Sequence, residues 1–246
     1  TVGTGIQEIR DLMLTFNHAA TAVRQSQGDL QRAYVDFVSS LANALDARDP
    51  YTSGHSRRVS AAARDVAVAM ELTAAECETI RIGALLHDIG KIGVADHVLQ
   101  KPGRLTEEEF RMIQQHPEIG RRIIEGIQGF EAYVPIVELH HENWDGTGYP
   151  RGLSGTEVPL GARIVHVVDA YDAMTSDRPY RPGMASGRAL EILKECAGTQ
   201  FDAEVVAIFA ALRTGDERSD TLANLAKAVG VSTGHPETAA VEKSLV

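Results

Sequence analysis

The sequence is poor in aromatic residues and cysteine and has no long apolar run. Phe, Trp and Tyr make up only 5% of 246 residues, whereas Ala and Leu are frequent, which favours helices over a β-sandwich. The two cysteines, Cys77 and Cys196, cannot build a disulfide framework, so we expect a reducing, cytoplasmic compartment. No apolar run reaches the roughly 18 residues of a membrane span, and no signal peptide is recognisable.

An excess of positive charge is also lacking. The formal net charge is -10, which disfavours nonspecific electrostatic binding to a nucleic acid polymer. A small anion could still bind where basic residues or metals are concentrated. Hydrophobic residues make up 43% of the chain, enough for one substantial domain with appendages. The chain begins with Thr1 rather than Met, so we expect it to be part of a longer protein.

The first 45 residues carry a heptad pattern. Apolar residues recur every seven positions, and a second series follows each of them by four; this is the a/d pattern of a coiled coil. Gln27 and Gly28 interrupt it. We expect one or two long helices that pair with a second copy of the chain, with a single amphipathic helix packed on its own domain as the alternative. The first series is Ile9, Phe16, Val23, Leu30 and Phe37.

Helical patterns continue from residue 52. Thr73 and Glu76 have the spacing of a capping box, in which Thr and Glu satisfy the free amides of a helix start. Thr106 repeats this pattern with Glu109. We therefore predict a helical bundle. Further helices are expected at residues 133–141, 160–176 and 186–212, with a Gly-rich loop at 143–155.

The string GALLHDIGKIG places His87 beside Asp88 at the end of the helix that begins after Thr73. Both should extend its buried face, because they lie one turn beyond Ala84. Imidazole and carboxylate are good ligands for divalent metals, and clustered His and Asp are costly to bury without an ion. The doublet predicts a metal site; for either residue alone, a satisfied polar pair is the alternative. Further candidate ligands are His55, His116, His140, His141 and Asp169.

Five distinctive strings occur in this order: YTSGHSRRV, HDIGK, QQHPEIG, HHENWDGTGYP and VVDAYDAMTSDRPYR. Together they resemble the HD-GYP family, a branch of the HD phosphohydrolase superfamily, and the GYP signature is Gly148, Tyr149 and Pro150. The resemblance covers residues 34 to about 212. It implies an all-α HD-domain helical bundle, here with an amino-terminal coiled-coil helix. It also implies a metal-dependent phosphodiesterase that hydrolyses cyclic di-GMP to linear pGpG, with further cleavage to GMP left open.

The resemblance implies two divalent ions bridged by Asp88, which is therefore also counted as catalytic. The donors are nitrogen and oxygen without thiolate, which fits iron or manganese without deciding between them. The resemblance implies iron first and manganese second. Members with three metals carry a Glu where this chain has Tyr51, which is why we expect two ions; Ala95 replaces a frequent Pro and affects only loop stiffness. One implied site is His55, His87 and Asp169, and the other is His116, His140 and His141.

Lys91 lies three residues after Asp88, so we expect it to polarise the phosphate or to protonate the leaving 3′-oxygen. The resemblance implies that Arg178 and Arg181 bind substrate phosphate, and Tyr149 could contact a guanine or the phosphate. Alternatively, Lys91 could be a solvated cation at a helix end, and Arg178 could form a structural salt bridge. The expected supporting residues are Asp172 and Glu142, and the expected solvated ones are Arg57 and Arg58.

The string QEIRDLMLTFNHAA resembles the second helix of a HAMP signalling module, which implies a membrane sensor upstream of Thr1. We divide the chain into a HAMP-like or coiled-coil helix at 1–33, an HD-GYP domain at 34–212 and a tail at 213–246, and expect a homodimer through the first helix. In this interpretation the chain is the enzymatic output of a bacterial signalling protein.

Two other functions stay open. A catalytically weak HD-GYP domain could sense cyclic di-GMP or dock partner proteins. Another HD phosphohydrolase could act on a different nucleotide, such as a hybrid cyclic dinucleotide. The complete ligand set, Lys91 and the GYP string favour the enzyme, because degenerate members usually lose some of them.

Overall fold

The computed structural model describes residues 2–48, 54–177 and 182–215. Within these ranges the chain is helical and has no strand, which confirms the predicted all-α fold. Two short 3₁₀ turns, Ile89–Gly93 and Gly155–Glu157, lie between the α-helices. The α-helices are α1 (Val2–Arg48), α2 (His55–Ala69), α3 (Ala74–Leu86), α4 (Asp96–Leu99), α5 (Glu107–Ile113), α6 (His116–Ile124), α7 (Val134–Leu139), α8 (Leu160–Thr175), α9 (Ser186–Glu195) and α10 (Ala203–Thr214).

The chain forms two compact units, Thr1–Ser40 and Leu41–Val246. The described part of the first unit is one continuous stretch of α1, so Gly28 does not break the helix. Apolar residues of the heptad series are exposed in the single chain, for example Phe16 at 71% and Leu30 at 72%. Among the described helices, none is both long and apolar enough to cross a bilayer.

The core of the second unit lies between α2, α3 and α8, with α9 and α10 packed beside them. Apolar residues of α2 such as Val59 and Val66 are buried there, and α8 contributes a matching apolar stripe that includes Ile164 and Val168. Both predicted capping boxes are formed, at Thr73 and at Thr106, and they fix where α3 and α5 begin. These helix starts determine where each chain segment enters the core.

The single helix predicted at 186–212 is wrong, because the structure contains two helices there, α9 and α10. The chain turns at Gly198, whose φ of 82° is in the left-handed region that favours glycine, and the Gly198 amide donates to the carbonyl of Phe201. Asp202 then caps α10 by accepting from the amide of Glu204. The apolar period alone did not reveal this break.

Helix α3 ends at Leu86, and the chain continues as the 3₁₀ turn Ile89–Gly93. This turn lies directly against the start of α6. A Cβ added at Gly90 would lie 1.8 Å from the carbonyl oxygen of His116 and 2.5 Å from the amide nitrogen of Gly120. Glycine at this position is therefore required for two backbone segments to touch.

We predict that Gly90→Ala lowers the free energy of unfolding by about 3 kcal/mol, because backbone atoms cannot yield as a side chain would. Gly187→Ala is the matched control, since nothing lies within 4 Å of its added Cβ. It should change the free energy by less than about 1 kcal/mol. Urea denaturation measures both, and equal midpoints for the two variants would refute the close approach.

Candidate metal centre

The seven predicted ligands come together at helix ends. His55 opens α2 and His116 opens α6, while His87 and His140 directly follow α3 and α7. Asp169 is the exception, since it lies within α8. All seven are buried, with at most 6% of any residue exposed: His55, His87, Asp88, His116, His140, His141 and Asp169.

The donor atoms form two main groups with Asp88 between them. In each group, one ligand atom per residue lies within 4.8 Å of the others. One oxygen of Asp88, Oδ1, is 3.3 Å from Nε2 of His116, whereas Oδ2 is 3.5 Å from Nε2 of His87 and 3.9 Å from Nε2 of His55. A carboxylate so placed can face two ions at once. The groups are His55, His87 and Asp169, and His116, His140 and His141, the same sets that the resemblance assigns to two ions.

Three of the imidazoles share one hydrogen-bonding arrangement. Nδ1 of His87, His116 and His140 each contacts the carbonyl oxygen three residues earlier, at 2.7 to 2.9 Å. Because a carbonyl only accepts, Nδ1 carries the proton and Nε2 is left bare toward the centre. Burial lowers the pKa of His116 to about 4 and that of His140 well below its usual value. The rings of His116 and His140 are therefore neutral and can bind a metal through Nε2.

The bare nitrogens face one another. Nε2 of His116 and Nε2 of His140 are 3.3 Å apart, although neither carries a proton in this tautomer. On the other side of Asp88, Nε2 of His55 and Nε2 of His87 are 3.4 Å apart. In the pair His116 and His140, two lone pairs at this distance in a buried site repel unless a cation lies beside them. The nitrogen and oxygen donor set, without thiolate, therefore fits a divalent metal.

His55 is held differently from the other ligands, between two carboxylates. Its Nδ1 is 2.8 Å from Oδ2 of Asp172, and its Nε2 is 3.1 Å from Oδ1 of Asp169. Burial alone would lower the pKa of His55, but hydrogen bonds to Asp169 and Asp172 raise it to about 10. Asp172 thus fixes the ring so that Nε2 points toward Asp169, the role of a supporting carboxylate in many metal sites.

Arg58 completes this arrangement. It is exposed, as the sequence predicts, but its guanidinium also binds Asp172. Its Nε donates to Oδ1 of Asp172 at 2.7 Å and its Nη2 to Oδ2 at 2.9 Å. The fork geometry of a guanidinium matches a carboxylate in this way. A signal for this bond was present in the sequence, because Arg58 follows His55 by three residues and Asp172 follows Asp169 by three, so both pairs share helix faces. Arg57 is exposed as well.

Lys91 reaches the centre from the 3₁₀ turn. Its Nζ lies 2.8 Å from Oδ2 of Asp88, and only 8% of the residue is exposed. Burial alone would raise the pKa of Asp88, but Lys91 and the neighbouring imidazoles lower it well below the usual value. Asp88 is therefore an ionised carboxylate, as a bridging ligand must be.

The GYP loop is fastened to the ligand segment His140–His141. A Cβ added at Gly148 would lie 2.2 Å from the amide nitrogen of Asn143 and 2.5 Å from the carbonyl oxygen of His141. The Tyr149 amide donates to that same oxygen at 3.1 Å, and its half-buried ring stacks on His141 with centroids 4.8 Å apart. The small size of Gly148 thus brings the loop against a predicted ligand.

Glu142 holds the far side of this loop. Its buried carboxylate accepts from the backbone amides of Arg151, Gly152 and Leu153. Three such bonds fix a loop whose own backbone pairing is sparse. A supporting role for Glu142 was predicted from the sequence, but its hydrogen bonds to the GYP loop were not.

Three residues of the prediction lie outside the described ranges. Arg178 and Arg181, the predicted phosphate ligands, fall in the gap at 178–181. Tyr51, on which the expectation of two rather than three ions depends, falls in the gap at 49–53, and most of the predicted tail lies beyond Gly215. Their roles stay predictions.

Comparison with known proteins finds an HD-domain family and relatives that are named phosphodiesterases. A family described as "HD domain" matches residues 39–205. The 3'3'-cGAMP-specific phosphodiesterase 3 of Vibrio cholerae is 40% identical over 190 residues, which cover 77% of this chain and 41% of that protein. Cyclic di-GMP phosphodiesterase response regulator RpfG of Xanthomonas campestris is 40% identical over 183 residues, covering 74% and 48%. Cyclic di-GMP phosphodiesterase PA4108 of Pseudomonas aeruginosa is 42% identical over 193 residues, covering 78% and 46%.

Two solved structures share the fold. A cyclic GMP-AMP specific phosphodiesterase of V. cholerae superposes with a TM-score of 0.58 at 18% identity, covering 78% of this chain and 52% of that one. Bd1817 of Bdellovibrio bacteriovorus, an HDG"Y"P protein, gives a TM-score of 0.56 at 23% identity, covering 74% and 60%. The chain spans less than half the length of the three curated relatives above.

We predict that Asp172→Asn weakens binding of one divalent ion by about 10- to 100-fold, because the amide cannot accept from both His55 and Arg58. Asp65→Asn, an exposed change on α2, is the control and should leave the affinity unchanged. Calorimetric titration with Mn²⁺ gives both affinities. Equal dissociation constants for the two variants would show that Asp172 does not support a ligand.

Proposed function

The chain belongs to the HD-domain family, in its HD-GYP branch, and on this premise we propose that it is a metal-dependent phosphodiesterase that hydrolyses cyclic di-GMP to linear pGpG, with cleavage on to GMP left open. Curated relatives at 40% and 42% identity carry that activity in their names. The observation that carries the proposal is the carboxylate of Asp88 between two groups of three buried donors. It supplies the symmetrical centre that phosphodiester hydrolysis at two metal ions requires.

We propose two divalent ions, with iron the first choice and manganese the second. The mixed imidazole and carboxylate donors fit both metals, and the order follows from the resemblance to the HD-GYP family. Such ions would supply a nucleophile at neutral pH and offset the charge that builds on the phosphate. The metal ligands in this proposal are His55, His87, Asp88, His116, His140, His141 and Asp169.

Lys91 is the proposed catalytic side chain beside the metals. Its ammonium group, 2.8 Å from Asp88, would bind a non-bridging phosphate oxygen or give its proton to the 3′-oxygen as the phosphorus–oxygen bond breaks. Tyr149 would contact a guanine or the phosphate from the loop beside His141. Arg178 and Arg181 are proposed to bind the phosphates through their guanidinium forks.

A second substrate class is supported by one observation. A relative at 40% identity is named a 3'3'-cGAMP-specific phosphodiesterase, as close in identity as RpfG. A hybrid cyclic dinucleotide is therefore the alternative substrate. A domain that binds the dinucleotide without turning it over remains the non-enzymatic alternative.

We also propose a cytoplasmic homodimer joined through α1. Support comes from the exposed heptad series, in which Phe16, Val23, Leu30 and Phe37 are 56% to 72% exposed. An apolar seam of this length is typical of a coiled coil. The HAMP-like string, together with relatives more than twice as long as the matched region, supports a sensor region upstream in the native protein.

Incubation of anaerobically prepared, iron- or manganese-loaded protein with cyclic di-GMP tests the function, with pGpG followed by chromatography and 3′,3′-cGAMP assayed in parallel. We expect pGpG from the original chain and more than about 100-fold less from Asp88→Asn, because a bridging ligand matters more than its supporting groups. Asp65→Asn is the matched control. Intact cyclic di-GMP at full metal occupancy would contradict the proposal: cGAMP cleavage would then favour the hybrid substrate, and no cleavage the sensor.

The dimer is tested with a pair of matched double variants. Phe16→Glu with Val23→Glu places charge in the seam, whereas His18→Glu with Gln25→Glu places it on the opposite face of α1. We expect the first to be monomeric and the second dimeric, because buried glutamates in a coiled-coil seam are strongly unfavourable. Sedimentation equilibrium gives the masses. Equal masses for the two variants would refute the seam.

A further inference from the structure

The guanidinium of Arg48, the last residue of α1, binds the segment that carries Lys91. Its Nη1 donates to the carbonyl oxygens of Lys91 at 3.0 Å and Ile92 at 2.9 Å, and its Nη2 donates to that of Val94 at 2.7 Å. Its Nε donates to Oδ1 of Asp96 at 2.9 Å. One guanidinium thus binds three backbone carbonyls and a carboxylate within six consecutive residues.

We propose that Arg48 is a positioning residue for Lys91. By holding backbone carbonyls within the 3₁₀ turn and directly after it, Arg48 keeps Lys91 Nζ beside Asp88 and thereby ties the end of α1 to the reaction centre. The inference rests on the proposed function, because it assigns Arg48 an effect on the step in which Lys91 takes part.

The turn needs such an anchor. Two backbone hydrogen bonds connect the turn to its flanking residues, from the Lys91 amide to the Asp88 carbonyl at 2.9 Å and from the Val94 amide to the Lys91 carbonyl at 3.0 Å. A single 3₁₀ turn has poor hydrogen-bond geometry and is short. The Lys91 carbonyl accepts from both Val94 and Arg48, so the residue whose side chain enters the centre is fixed through its backbone from outside. Charge-assisted bonds of this kind are stronger than neutral ones.

The same turn of α1 also contacts the neighbour of a predicted metal ligand. Oδ1 of Asp46 accepts from Oγ of Ser56 at 2.7 Å, and Ser56 directly follows the predicted ligand His55. Both residues are buried. Gln100 donates to the carbonyl of Arg48 at 3.1 Å and so holds the helix end itself. The last turn of α1, which belongs to the same compact unit as the centre, therefore contacts the neighbours of one ligand and of Lys91.

A purely structural ion pair is the competing explanation. Arg48 and Asp96 form a salt bridge at 2.7 Å, but the Asp96 side chain is 66% exposed, so solvent screens the pair. Asp96→Asn removes the charge of that partner and leaves the three carbonyl contacts in place. It is therefore the matched control for Arg48→Ala.

A double-mutant cycle separates the two explanations. We measure kcat, KM and metal content for Arg48→Ala, Lys91→Ala, the double variant and Asp96→Asn, with cyclic di-GMP as the substrate. We expect kcat of Arg48→Ala to fall about tenfold with metal content unchanged, and the same change in the Lys91→Ala background to cost less than about twofold. Asp96→Asn should stay within about twofold of the original chain. An equal tenfold loss in both backgrounds would overturn the proposal.

Hydrogen exchange tests the contact independently of catalysis. In Arg48→Ala the amides of Lys91 and Val94 should exchange at least about fivefold faster, and in Asp96→Asn at the original rate. Unchanged exchange in Arg48→Ala would overturn the proposal. If the original chain hydrolyses no cyclic dinucleotide, the proposed function fails while the exchange result still decides whether Arg48 holds the turn. Arg48→Lys, which keeps the charge but loses the fork, replaces Arg48→Ala in both measurements if the latter does not fold.

Discussion

The structure depends on one buried carboxylate, that of Asp88, placed between two sets of imidazoles. Its oxygens lie 3.3 Å and 3.5 Å from the nearest imidazole nitrogens on either side. Bare nitrogens also face each other at 3.3 Å in the pair His116 and His140. Such a cluster is costly to bury by itself, because lone pairs repel and ionised groups lose their hydration. Divalent cations remove both costs. We therefore infer that this arrangement of buried side chains depends on bound metal.

The helical bundle serves this centre by ending helices where ligands are needed. An imidazole at or just past a helix end can donate a hydrogen bond from Nδ1 to the carbonyl three residues earlier, as in His87, His116 and His140. This bond orients the ring so that Nε2 points into the centre. Two glycines, Gly90 and Gly148, let backbone segments touch behind the ligands where any side chain would collide. The HD and GYP strings thus supply glycines that let backbone segments pack closely, as well as residues that can bind metal.

Much of this could be predicted from the sequence, and the reasons for the failures are physical. Capping boxes and apolar periods are local, so the starts of α3 and α5 and the all-α class were recognisable. The break between α9 and α10 was missed because a left-handed glycine inside a continuous apolar pattern leaves the period intact. The bond from Arg58 to Asp172 was not predicted because the two residues are 114 positions apart. The contacts of Arg48 were not predicted because its partners are backbone carbonyls, which no residue pattern reveals. Contacts that form only in the folded chain lie beyond what spacing can indicate.

The most direct test of the central claim is anomalous diffraction from crystals of the manganese-loaded protein, measured at the manganese absorption edge. The account predicts two anomalous peaks on either side of the Asp88 carboxylate, one near His55, His87 and Asp169 and the other near His116, His140 and His141. A single peak, or peaks away from Asp88 at full manganese content, would contradict it.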